Sequence, residues 1–180
     1  MSARTRILAL MVAPALLTAT GGAAQTCSNA PYLSAAGGWV SHAVAGGTTG
    51  TALGADLGFP VGPAGVRVEY RHTLFEGSAP ATDAVRGSLG FPLPVLGGVA
   101  ACTEVHAGAT RFAAGDDNAV SLAGGIGLTL SPGGRGVLEP YASVRGLGGW
   151  TTGSVLDKSI SATAFALGVE AGLRVNAGVL

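Results

Sequence analysis

The chain has 180 residues with ten basic and ten acidic side chains, so its formal net charge is zero and it lacks the excess of Lys and Arg that nucleic-acid binding needs. Hydrophobic residues make up 48% and charged residues only 11%, a balance opposite to that of disordered chains, so the 31 glycines do not signal disorder.

The chain begins with a stretch that reads as an export signal over residues 1–24. Arg4 and Arg6 supply the positive start, Ile7 to Leu17 the apolar run, and Gly22-Ala23-Ala24 a small-residue cleavage site. The run contains Pro14 and falls short of the roughly 20 residues of a spanning helix. Cleavage would leave 180 minus 24, or 156 residues, from Gln25 onward, which is the size of one domain.

Eight strands follow, at about 32–44, 51–59, 65–75, 84–91, 98–111, 119–130, 137–149 and 161–175. The clearest is Val66-Arg67-Val68-Glu69-Tyr70-Arg71-His72, in which every second residue is apolar, as a strand with two unlike faces requires. The first is the least regular, because Ala35-Ala36-Gly37-Gly38 does not alternate. Connections of two kinds take turns along the chain. Pro60 to Gly65, Pro92 to Gly98 and Ser131 to Gly136 are tight and rich in Pro and Gly, whereas Glu76 to Asp83, Ala113 to Asn118 and Thr151 to Ser159 are polar. Strands near ten residues, even in number and joined in this way, predict an all-β, closed antiparallel up-and-down barrel that crosses an outer membrane, with tight turns periplasmic and polar loops extracellular. Leu57-Gly58-Phe59-Pro60 recurs as Leu89-Gly90-Phe91-Pro92, which sets Phe59 and Phe91 at the periplasmic interface; Phe75, Phe112 and Trp150 are expected in a second aromatic girdle at the opposite strand ends.

Strand parity then sorts the charges. Asp56, Arg67, Glu69, Arg71, Arg86, Glu104, Glu139, Arg145, Glu170 and Arg174 fall on the face opposite Leu57, Val68, Leu89, Val105, Val144, Val169 and Leu173. Five acidic and five basic groups pointing into one narrow lumen must pair, because an unpaired buried charge is costly, and a paired network would leave at most a narrow pore. The competing reading, a soluble sheet with one solvated face, needs large interlocking side chains in its core; the apolar positions here include Ala101, Ala107, Ala109, Ala142 and Ala171.

With strands, turns and inward charges in this arrangement, the mature chain resembles the small eight-stranded outer-membrane barrels of the OmpA and OmpX type. The resemblance implies a monomer in contact with outer-membrane lipids and lipopolysaccharide, inserted by the barrel-insertion machinery. Phe165 to Val175 looks like the C-terminal strand that this machinery recognises, although the chain continues as Asn176-Ala177-Gly178-Val179-Leu180 where a terminal aromatic is usual. Enzymes similar to this class that modify lipid A use a catalytic His and Ser facing the outer leaflet. His72 is the nearest candidate, with no convincing serine or carboxylate beside it in the sequence.

Other chemistry is sparse. His42, His72 and His106 have no metal-ligand spacing with one another or with the cysteines, and each reads as a girdle or lumen residue. Glu104-Val105-His106 puts a carboxylate and an imidazole on one face, which fits either an acid/base pair or the inward network. Gly124-Gly125-Ile126-Gly127 and Gly146-Leu147-Gly148-Gly149 lack the Lys-Ser/Thr of a phosphate loop and read as places where strands approach closely. Asp116-Asp117-Asn118 reads as a polar turn. Cys27 and Cys102 reach an oxidising compartment and would lie on the same side of the barrel, where a disulfide would tuck the N-terminal segment into the mouth; two buried thiols are the alternative. No catalytic, cofactor or metal site is expected. The function that this reading supports is a structural or surface-interaction protein of the outer membrane, with a lipid A-modifying enzyme or a secreted lipocalin-like ligand carrier as alternatives.

Overall fold

The computed structural model describes residues 27, 30–42, 48–77, 80–96, 99–114, 117–132, 136–155 and 158–177, with side chains at 42, 94–96, 113–114, 117–118, 154–155 and 158–160 left out of the description. The expected signal, residues 1–24, lies outside these.

Eight strands form one closed antiparallel barrel in sequential order: β1 (Tyr32–His42), β2 (Thr48–Val61), β3 (Ala64–Phe75), β4 (Thr82–Leu96), β5 (Val99–Ala114), β6 (Asp117–Pro132), β7 (Leu138–Val155) and β8 (Lys158–Asn176). β1 closes the cylinder by pairing with β8, from Tyr32 opposite Asn176 to His42 opposite Ala166. The weak alternation of β1 does not matter to this pairing, because the ladder is made by backbone groups and both neighbouring strands supply them. No sheet edge is left open.

Most strands extend further than the side-chain pattern predicts. β4 runs through Pro92 to Leu96, and β7 through Thr151 to Val155, into segments expected as turn and loop. Ladders of this length continue past the apolar belt, where alternation of apolar residues is no longer required and the sequence signal fades. Between Val61 and Ala64 only Gly62 and Pro63 remain as the turn, with Gly62 at φ 59°. A two-residue hairpin of type II′ needs a positive φ at its first central position, which glycine supplies, while proline fixes a negative φ at the second.

Glycine has a second use where strands crowd. A Cβ at Gly125 would stand 2.0 Å from the carbonyl oxygen of Gly146 on β7, closer than any side chain allows. Gly125 and Gly146 therefore read as the close approach expected of that string.

The polarity of the cylinder is the reverse of a soluble protein. Leu33, Leu53, Leu57, Val68, Val85, Leu89, Val105, Leu122, Ile126, Val144, Phe165 and Leu173 are all exposed on the outside, with Ile126 at 71%. Arg67, Glu69, Arg71, Glu104, Arg145 and Arg174 are all at most 6% exposed inside. Such a surface is stable where lipid replaces water, and a closed ladder leaves no backbone polar group facing that lipid.

Candidate functional site

The interior is where this chain concentrates its chemistry. Strand parity turns every second residue of β2 to β8 inward, so groups far apart in sequence converge on the barrel axis. Glu69 is the hub: its carboxylate lies 2.6 Å from Arg145, 3.1 Å from Arg86, 3.6 Å from Arg71 and 3.7 Å from Arg67. A second centre is Glu170, bound by two Arg71 nitrogens at 2.9 and 3.1 Å, by Arg145, and by the Ser143 hydroxyl at 3.0 Å. Below them Arg67 is paired with Glu104, whose other oxygen accepts from Thr129 at 2.9 Å, and Arg67 Nε donates to Ser88 at 3.3 Å. Asp56 takes Arg71 at 3.5 Å and the Tyr141 hydroxyl at 3.3 Å, and that hydroxyl also meets Ser34 at 3.2 Å.

Eight of the ten predicted lumen charges, namely Asp56, Arg67, Glu69, Arg71, Arg86, Glu104, Arg145 and Glu170, thus form one connected network. Among the described residues, Glu139 and Arg174 make no ion pair with it. Glu139 sits near the barrel end, where its carboxylate accepts from Asn176 at 3.3 Å. Arg174 stacks between two rings, 4.8 Å from the centroid of Tyr32 and 4.4 Å from that of Tyr141. An aromatic face attracts a guanidinium through its quadrupole, so rings serve here in place of a carboxylate.

His106 joins this interior from the second group of candidates. It is 2% exposed, and its Nε2 lies 3.3 Å from Glu104 Oε2 without the alignment of a hydrogen bond. Both of its ring nitrogens are enclosed within the network. Cys27 and Cys102 are joined, with their Cα atoms 5.5 Å apart, and both are buried. The bond ties the segment before β1 to an inward position of β5, beside Gly90.

Two sequence expectations need correction. Phe75 and Phe112 do not stand in an outer girdle: both have inward parity, Phe75 packing against Gly50 and Phe112 lining the upper lumen. The ladder keeps its register through both residues, so parity carried from Glu69 and Arg71 to Phe75, and from Glu104 and His106 to Phe112, turns both rings inward; the girdle expectation rested on position along the barrel alone. The aromatics that do face outward in the same half are Trp39, Tyr70, Trp150 and Phe165, while Phe59 and Phe91 face outward in the other half.

The second correction concerns His72. Asp83 lies beside it on the outer face: His72 Nδ1 is 2.9 Å from Asp83 Oδ1, and the Tyr70 hydroxyl donates to the same oxygen. Antiparallel pairing sets His72 directly opposite Asp83, a partnership across the β3–β4 connection that the sequence placed in a polar loop. Among the described residues no serine hydroxyl joins this pair. No group of three His, Cys, Asp or Glu among them could hold a metal ion.

A closed antiparallel barrel of eight strands, apolar outside and ionic inside, is the fold of small outer-membrane barrel proteins. The crystal structure of Neisserial surface protein A superposes with a TM-score of 0.63 at 14% identity, covering 81% of this chain and 96% of that one. The structure of outer membrane protein AlkL in lipid bilayers gives a TM-score of 0.50 at 12% identity, over 87% and 93%. At these identities the likeness is one of fold. No protein-family model matches the sequence, and no curated protein matches it significantly.

Proposed function

We propose that this chain is an integral outer-membrane barrel whose lumen is closed, serving as a structural or surface-interaction protein and not as a diffusion pore. The observation that carries this reading is the enclosed ionic network: the charges that would have to line a water-filled channel are instead paired with one another across the axis. The apolar exterior and the likeness in fold to outer-membrane proteins support its residence there. Planar bilayers holding the refolded protein should show no sustained conductance. Stable, long-lived open levels from the unmodified chain would overturn the closed-lumen reading.

The lipocalin-like alternative needs an inward face made of large apolar side chains, whereas the middle of this lumen is ionic and most large apolar side chains point out. The lipid A-modifying reading keeps one observation in its favour, the outward His72–Asp83 pair with Tyr70. Mass spectrometry of lipid A from cells producing the protein or its His72→Ala variant decides it: identical lipid A in both, and in cells lacking the protein, discards the activity.

A further inference from the structure

The network fills the lumen only in part. Above it, in the half away from the disulfide, lies a cavity of about 70 Å³. Its floor presents three guanidinium groups, Arg71, Arg86 and Arg145, against one carboxylate, Glu170. Arg86 is the most open of the three, with its side chain 18% exposed where those of Arg71 and Arg145 are 4% and 5%. The Arg145 Nε, buried, has no hydrogen-bond partner among the described residues.

The walls differ from side to side. On β3 to β6 they carry four buried hydroxyls, Thr73, Thr82, Thr110 and Ser121, which ladder pairing sets in two facing pairs, Thr73 with Thr82 and Thr110 with Ser121. On β1, β7 and β8 they carry Val40, Leu147, Ala164 and Ala166. A cationic floor, a hydroxyl wall and a facing apolar wall are complementary to a solute that is anionic at one end and apolar along one side.

From this we infer that the upper lumen is a binding site for a short-chain carboxylate. Size follows from volume: at roughly 10 to 15 Å³ for each water-sized site, the cavity accommodates about five to seven non-hydrogen atoms, the size of propionate or butyrate. The carboxylate would lie on Arg86, accept hydrogen bonds from Thr82 and Thr110, and leave its alkyl chain against Leu147 and Ala164. Inorganic phosphate has a matching atom count but nothing to place against the apolar wall. The site rests on the lumen being closed below it, which the conductance measurement tests separately.

The experiment is a titration of the full refolded chain in a maltoside micelle with butyrate, followed by amide NMR shifts, with inorganic phosphate and butanol as comparison solutes. Saturable butyrate shifts confined to β3–β6 around Thr73, Thr82, Thr110 and Ser121, absent with butanol and weaker with phosphate, are expected. Arg86→Gln should weaken binding about tenfold or more, since a charge-assisted hydrogen bond is lost. Thr110→Val, which keeps shape and leaves the ion pairs intact, should weaken it several-fold, so the proposal is tested even where Arg86→Gln fails to fold. Non-saturable or dispersed shifts, tighter binding of phosphate than of butyrate, or undiminished binding by Thr110→Val would each overturn it.

Discussion

Glu69 is the residue on which most of the interior depends, because four guanidinium groups approach it within 4 Å. Replacing it leaves several buried cations short of a partner. Glu69→Ala is expected to lower stability by about 3 to 5 kcal/mol, measured by urea unfolding in micelles, since breaking a buried pair costs far more than the pair contributes against an apolar substitute. Glu139→Gln, at a side chain that accepts a hydrogen bond from Asn176 near the barrel end, should change it by less than about 1 kcal/mol. Similar losses from both substitutions would mean that the network is not the stabilising feature. Parity along β3 was enough to turn Glu69 inward. That Arg145, 76 residues away, would be its nearest partner was not legible, because no local pattern encodes which strands face each other across the axis.

The Cys27–Cys102 bond spans 75 residues. In the chain-entropy account, closing a loop of that length stabilises by up to about 4.5 kcal/mol. Cys27→Ser should therefore lower the urea midpoint, and peptide mapping without reductant should recover one cross-linked peptide. Two free alkylated thiols in the oxidised protein would contradict the pairing. The sequence placed the two cysteines on one side of the barrel but left two thiols open, because the geometry of the segment before β1 is set by where it enters the mouth.

For single strands, the outward face of β3 offers a direct test. Val68 is 47% exposed near the middle of its strand, and Val68→Arg should cost roughly 2 to 4 kcal/mol and reduce insertion into lipid, as a cation at the bilayer midplane does. An unchanged yield of folded protein in liposomes would place that face in water. Gly125→Val probes the other limit on strands, since its side chain would collide with the backbone of β7, and no rotamer relieves a clash that begins at Cβ. We expect it to abolish the folded band. Strand number and order were legible from alternation and turn chemistry, whereas the β2–β3 connection read as the whole run Pro60 to Gly65 and closes to Gly62 and Pro63 alone. Strand ends were not: at Phe112 and Asp83 the ladder continues into segments whose composition reads as loop, and only the partner strand shows how far it runs.

The complete barrel holds together through backbone ladders that close on themselves, with β1 and β8 completing the ring. Residues 25–180 folded into micelles should accordingly migrate differently in SDS before and after boiling, because a cylinder without edges resists the detergent until heated. Absence of a shift, with a monomer soluble in plain buffer, would contradict the membrane barrel. Alternation with a period of two, even strand count and turns of two kinds were sufficient to specify an all-β barrel with charges inside and apolar residues outside, since each of these is a local property of the chain. The pairing of Glu69 with Arg145, the seat of Arg174 between Tyr32 and Tyr141 and the cavity above Arg86 came only with the closed cylinder. They depend on the register and curvature with which eight strands meet, and those are set by the ring as a whole.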